Sequence, residues 1–116
     1  MKFLFLIVPV LLSAVDYSTL YSERGKGYED SHVTIRGKFN SYSCNKSRRS
    51  IDNYCNVALS VYDGDKYLNR VVLQVGTTYE SDLKDSKRDD LFSFGCTYKG
   101  SLNNFKDCNW WQTYIM

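Results

Sequence analysis

The chain has 116 residues, 43% of them hydrophobic and 16% aromatic, with 15 Lys and Arg against 13 Asp and Glu for a net charge of +2. That balance excludes a surface built to track nucleic-acid phosphates, which carries a strong and clustered basic excess. The length admits one domain around one core and excludes a multidomain reading.

Lys2 supplies a positive start, Phe3 to Val15 is apolar, and Ser13-Ala14 offers small residues near a cleavage point. This is the pattern of a secretory signal peptide over residues 1–15. The run falls short of the roughly 20 apolar residues a spanning helix needs, and no later run is long enough, so no membrane span is expected. Residues 16–32 are polar, carry Gly25 and Gly27 and show no period. They read as an extended or loosely held leader ahead of a single domain over 33–116.

From Val33 to Phe39, Val33, Ile35, Gly37 and Phe39 alternate with Thr34, Arg36 and Lys38, the signature of a half-buried strand in which the glycine marks a bulge. Residues 40–56 are rich in Ser and Asn and read as a long connection. Within it Lys46, Arg48 and Arg49 form a short basic cluster, read as solvated loop, and Asn45-Lys46-Ser47 is a sequon that makes Asn45 a candidate glycosylation site. Val57, Leu59 and Val61 then alternate with Ala58, Ser60 and Tyr62 up to Asp63-Gly64-Asp65, and a further run extends from Tyr67 to Val75. Asp-Gly between alternating runs predicts a β-hairpin, because glycine supplies the positive φ that a primed turn needs. The Asp pair lacks the other oxygen ligands of a calcium loop and reads as turn, not metal site.

Residues 81–90 are charged almost throughout and read as surface, either a short exposed helix or a plain loop. Phe92, Phe94, Cys96 and Tyr98 fall on one face of another strand. Residues 100–109 read as a polar loop, and Trp110 to Ile115 as a short closing strand. Adjacent residues on a strand point to opposite faces, so Trp110 and Trp111 cannot both face inward, and the pair is a candidate surface contact.

Cys44, Cys55, Cys96 and Cys108 are an even set in a short chain with a signal peptide, and two disulfides are expected. Three connectivities are open. No Cys-x-x-Cys pair occurs and the single histidine, His32, is remote from every cysteine in sequence, so zinc-ligand spacing is absent. His32 stands at the start of a strand with nothing that marks it as a general base, and no nucleophile elbow, zinc-protease pair, phosphate loop or dinucleotide fingerprint is present. The expectation is a protein without catalytic residues, metal or cofactor. Short alternating runs separated by turn chemistry, without a convincing amphipathic helix, predict an all-β fold, a small antiparallel β-sandwich or barrel stabilised by disulfides.

The order of four segments resembles the transthyretin-like family of nematode secreted proteins. These are Val33-Thr-Ile-Arg-Gly-Lys-Phe39, Asn56-Val-Ala-Leu-Ser-Val-Tyr-Asp63-Gly-Asp65, Thr77-Thr78-Tyr79 with Asp82, and Phe92-Ser-Phe94-Gly95. Cys44 falls later than that family's cysteine, and Phe94-Gly95-Cys96 carries no histidine. The resemblance implies a transthyretin-like β-sandwich, an extracellular location and a non-catalytic recognition or carrier role toward a protein, a lipid or a small hydrophobic ligand. The alternative is a secreted effector or inhibitor that uses the sandwich as scaffold for the 40–56 loop.

Overall fold

The computed structural model describes residues 15–45 and 53–110. Residues 1–14 of the expected signal peptide, the Lys46, Arg48 and Arg49 cluster and residues 111–115 of the expected closing strand lie outside the described residues, whereas Val15, expected to leave with the signal peptide, is in β1. Strands β1 (Val15–Asp16), β2 (His32–Asn45), β3 (Tyr54–Asp63), β4 (Lys66–Val75), β5 (Leu91–Thr97) and β6 (Asn104–Trp110) are joined by two short helices, α1 (Tyr17–Ser22) and α2 (Glu80–Lys84).

The all-β expectation holds, but the two-sheet sandwich gives way to one sheet closed on itself. Its order is β1-β2-β3-β4-β6-β5, and β2 also pairs with β5, so β2 to β6 form a ring. β2, β3 and β4 follow one another as antiparallel neighbours, and β5 returns to lie beside β2. That is a Greek key. β6 then fills the gap, parallel to β4 and antiparallel to β5. A Greek key closed by a fifth strand is the plan of OB-type barrels.

Closure depends on β2, whose 14 residues serve two neighbours within the ring. Residues up to Lys38 pair with β5, and from Lys38 onward the strand pairs with β3. Gly37 stands at this switch. A Cβ there would lie 2.7 Å from the Ser60 carbonyl oxygen and 3.2 Å from Leu59 Cβ, so the backbones of β2 and β3 approach in a way that only glycine permits. The bulge itself follows between Phe39 and Ser41. Gly37→Ala is therefore expected to cost about 1–3 kcal/mol, as overpacking against backbone does, and a chemical denaturation curve measures it.

The alternating faces read from the sequence are the faces observed. Val33, Ile35, Phe39, Val57, Leu59, Val61, Phe92, Phe94, Cys96 and Tyr98 all line the core. The hairpin is tight: Asp63 faces Lys66, leaving Gly64 and Asp65 as a two-residue loop with Gly64 at φ 64°.

Three segments depart from the sequence reading. The leader is part of the barrel. Val15 pairs with Val33, and Tyr17, Leu20 and Tyr21 share one face of α1, with Tyr17 and Leu20 buried. α1 ends in a Schellman motif, with Gly25 N–H donating to the Leu20 carbonyl at 2.9 Å and Arg24 N–H to that of Tyr21 at 3.1 Å. Leu83 of α2 is likewise fully buried, so the charged 81–90 stretch anchors the β4–β5 connection to the core. Finally, the polar stretch after Gly100 is strand β6. Only Phe105 and Cys108 of its described side chains are buried, too sparse an apolar pattern to mark a strand by alternation.

Both disulfides join sequence neighbours, Cys44 to Cys55 and Cys96 to Cys108. Cys44 and Cys55 are register partners across β2 and β3, so the 40–56 connection is strand over residues 40–45 and 54–56, where a loop was expected.

α1 closes one end of the barrel through a buried hydroxyl. Tyr17 Oη donates to the Leu102 carbonyl at 2.5 Å and accepts from Asn69 Nδ2 at 3.1 Å, while its ring lies edge-on to Phe105. Burial raises the pKa of Tyr17 above the usual tyrosine value, and the Asn69 bond opposes that rise in part. A raised folded-state pKa means the folded protein holds this proton more tightly than the unfolded chain. Its stabilising contribution is complete below about pH 10 and is lost as pH climbs through the folded value. Tyr17→Phe should cost about 0.5–1.5 kcal/mol near neutrality and flatten the alkaline decline in stability, read from melting temperatures at successive pH values.

Candidate functional site

The sequence-derived candidates do not converge. His32 is exposed at the start of β2, opposite Thr97. Asn45 is the exposed last residue of β2, and the rest of its sequon lies outside the described residues. Trp110 ends β6 opposite Phe94, and Trp111 lies outside the described residues. The four cysteines are structural. Among the described residues no cluster of three or more His, Cys, Asp or Glu is placed to hold a metal ion.

The features that do converge lie on the outer surface of the sheet. Register and alternation place Lys38 of β2, Ser60 of β3 and Arg70 of β4 in one row, with Leu91 of β5 on the other side of Lys38. Tyr62 and Tyr67 face each other one step toward the hairpin. They are register partners because Leu68 is an extra residue in β4: Val61 faces Asn69 and Tyr62 faces Tyr67. Without that bulge Tyr67 would point to the other side of the ribbon.

This surface is apolar and basic together. Tyr62, Tyr67 and Leu91 are 39%, 51% and 78% exposed, the large hydrophobic side chains among the described residues that reach solvent most. The two tyrosine rings meet edge to face with centroids 5.6 Å apart, and Lys38 Nζ stands 5.0 Å over the Tyr62 ring. Such a cation–π contact holds the ammonium group in place at the surface. The Ser60 hydroxyl, between the two cations, donates to Asn40 Oδ1 at 3.1 Å, fixing the middle of the row. A rigid barrel therefore presents two rings and two cations in fixed register.

Part of this surface is legible in the sequence, since alternation already puts Lys38, Ser60 and Tyr62 on outward faces. Tyr67 is not, because a bulge leaves no mark in a run of Lys, Tyr, Leu and Asn. Arg70 joins the row only once register is known. No family model, curated protein or solved structure matches the chain.

Proposed function

We propose that this is a secreted, non-catalytic recognition protein, and that it contacts its extracellular partner through the outer face of β2, β3 and β4. The observation that carries the reading is the pairing of exposed Tyr62 and Tyr67 beside Lys38. Exposed aromatics grouped on a rigid scaffold are the usual anchors of a binding surface, since ordering them costs little entropy. Two disulfides in a domain this small accord with an oxidising, extracellular setting. The ordered resemblance of Val33 to Gly95 to secreted transthyretin-like proteins supports the same location and role. OB-type barrels bind through the corresponding strands, which is an analogy of fold alone.

Secretion is tested by peptide mapping of protein released from eukaryotic cells, without reduction. Val15 takes part in the β1–β2 pairing. The mature chain is therefore expected to begin at Val15, leaving that strand whole, with all four cysteines bridged. An intact Met1 would overturn secretion, and the same map reads whether Asn45 carries glycan. Recognition is tested by cell-surface binding of that protein and of Tyr62→Ala/Tyr67→Ala. Loss of binding by the double variant supports the proposed face. Retained binding that is lost on replacing residues 46–52 would favour the effector-loop reading instead.

A further inference from the structure

We infer that the ligand class of this face is an anionic oligosaccharide, its sulfate or carboxylate groups held by Lys38 and Arg70 and a sugar ring packed against the Tyr62–Tyr67 pair. The inference rests on the preceding reading of the face as the contact surface and adds the chemistry of what it contacts.

Charge distribution comes first. The described outward positions of β2, β3 and β4 on this face include Arg36, Lys38 and Arg70, all exposed, and no Asp or Glu. The hairpin carboxylates lie elsewhere: Asp63 pairs with Lys66 one step on, across the ribbon from the tyrosines, and Asp65 is in the turn. In a chain whose whole net charge is +2, that placement gathers cations on one face of β2, β3 and β4, bordered beyond Leu91 by Asp89 and Asp90, whose backbones bond to Phe39. Among the described residues neither Lys38 nor Arg70 makes an ion pair; the exposed pair is Lys99 with Asp30, on another part of the surface. The two cations are thus available to an external anion, and Arg can meet a carboxylate or sulfate through two parallel N–H donors.

Spacing comes second. Lys38 and Arg70 are each one strand away from Ser60, so their backbones stand about 10 Å apart, two interstrand spacings. Two separated anchors suit a ligand with anionic groups on alternate units better than a single phosphate or a small carboxylate. The ground around them is neutral and hydrogen-bonding, with outward Ser41, Asn56 and Gln74. Hydroxyl and amide groups donate and accept, as sugar hydroxyls do.

Ring geometry separates this ligand from single-stranded nucleic acid, which also combines anions with flat groups. Sequence-tolerant binding of a single strand relies on successive open ring faces for base stacking. Here the rings stand 72° apart, and Lys38 Nζ occupies one face of Tyr62. The pair offers an apolar corner, suited to the C–H edge of a sugar and not to consecutive bases.

The test is isothermal calorimetry on the disulfide-intact secreted protein with three probes: a heparin octasaccharide, a neutral chitin oligosaccharide of equal length and an eight-nucleotide oligothymidylate. Saturable binding of the heparin fragment is expected, weakening with added salt, with the other two bound much less. Lys38→Ala/Arg70→Ala should reduce that affinity about tenfold or more, since each substitution removes a charge-assisted hydrogen bond. Lys38→Arg should retain it, and unchanged circular dichroism verifies the fold of each variant. Failure to bind the heparin fragment overturns the inference, as does equal affinity for oligothymidylate. So does binding that depends on Lys46, Arg48 and Arg49 and is indifferent to Lys38 and Arg70. If Tyr62→Ala/Tyr67→Ala abolishes cell-surface binding while the heparin fragment is not bound, the contact face stands and the ligand class is rejected.

Discussion

Leu20→Ala is expected to lower the unfolding free energy by about 2–5 kcal/mol, a large share of the total for a single domain of this size. Leu20 is fully buried, and it packs in the same core as Val33, Phe105 and Tyr98. The site has little freedom to collapse. Gly25, which follows the helix, lies so close to Tyr98 that a Cβ there would fall within 2.5 Å of its phenol. Tyr17 is fixed by hydrogen bonds to Leu102 and Asn69. A void left by the leucine side chain would therefore stay open, which puts the cost toward the upper part of the range. Melting temperature should fall by roughly 15–40 °C, the upper part of what 2–5 kcal/mol gives at about 4–8 °C per kcal/mol for such a domain. A matched change on the exposed side of the same helix, Thr19→Ala, should shift it by no more than a degree or two, within the range of ordinary surface substitutions. A small effect of Leu20→Ala would mean that residues 16–32 are the loose leader their polarity suggests.

That contrast shows where sequence reasoning reached and where it stopped. Strand faces were legible because alternation reports burial directly, and β2, β3, β4 and β5 are each long enough to display it. α1 was not, because two turns of helix contain only Tyr17, Leu20 and Tyr21 to express a 3.6-residue period, amid serines and threonine that favour no one state. β6 was missed for a related reason. Its backbone is satisfied by β4 on one side and β5 on the other, so pairing holds it in the sheet although few of its side chains are apolar. Closure was also beyond local pattern. A sandwich and a barrel share the same alternating strands, and what separates them is the glycine-permitted switch at Gly37, which reads in sequence only as a bulge. The tyrosine pair stands between these cases, half visible through alternation and completed by the extra residue in β4.

The second large effect belongs to the seam that alternation could not find. β5 and β6 share only the register pairs Phe94 with Trp110 and Gly95 with Asn109 among the described residues, whereas β3 and β4 are paired along their whole length. Cys96 and Cys108 continue that register by one step, so the disulfide extends a short ladder covalently. Cys96→Ala/Cys108→Ala should cost about 3 kcal/mol from loop-closure entropy for a separation of 12 residues, and more where the opened seam wets Phe94 and Phe105. Cys44→Ala/Cys55→Ala removes a bridge of nearly equal separation, 11 residues, yet β2 and β3 remain paired from Lys38 to Asn45 without it. The chain-entropy terms are nearly the same, so a difference between the two variants measures the strand pairing around each bridge. Hydrogen exchange should show the distinction locally. Loss of Cys96–Cys108 is expected to collapse protection in β6 and at its contact with β4 before the β3–β4 hairpin is affected. Loss of Cys44–Cys55 should leave β6 protected and fray only the ends of β2 and β3. Equal melting temperatures and uniform exchange in both variants would show that the barrel opens as one unit and that the β5–β6 seam is not its weakest point.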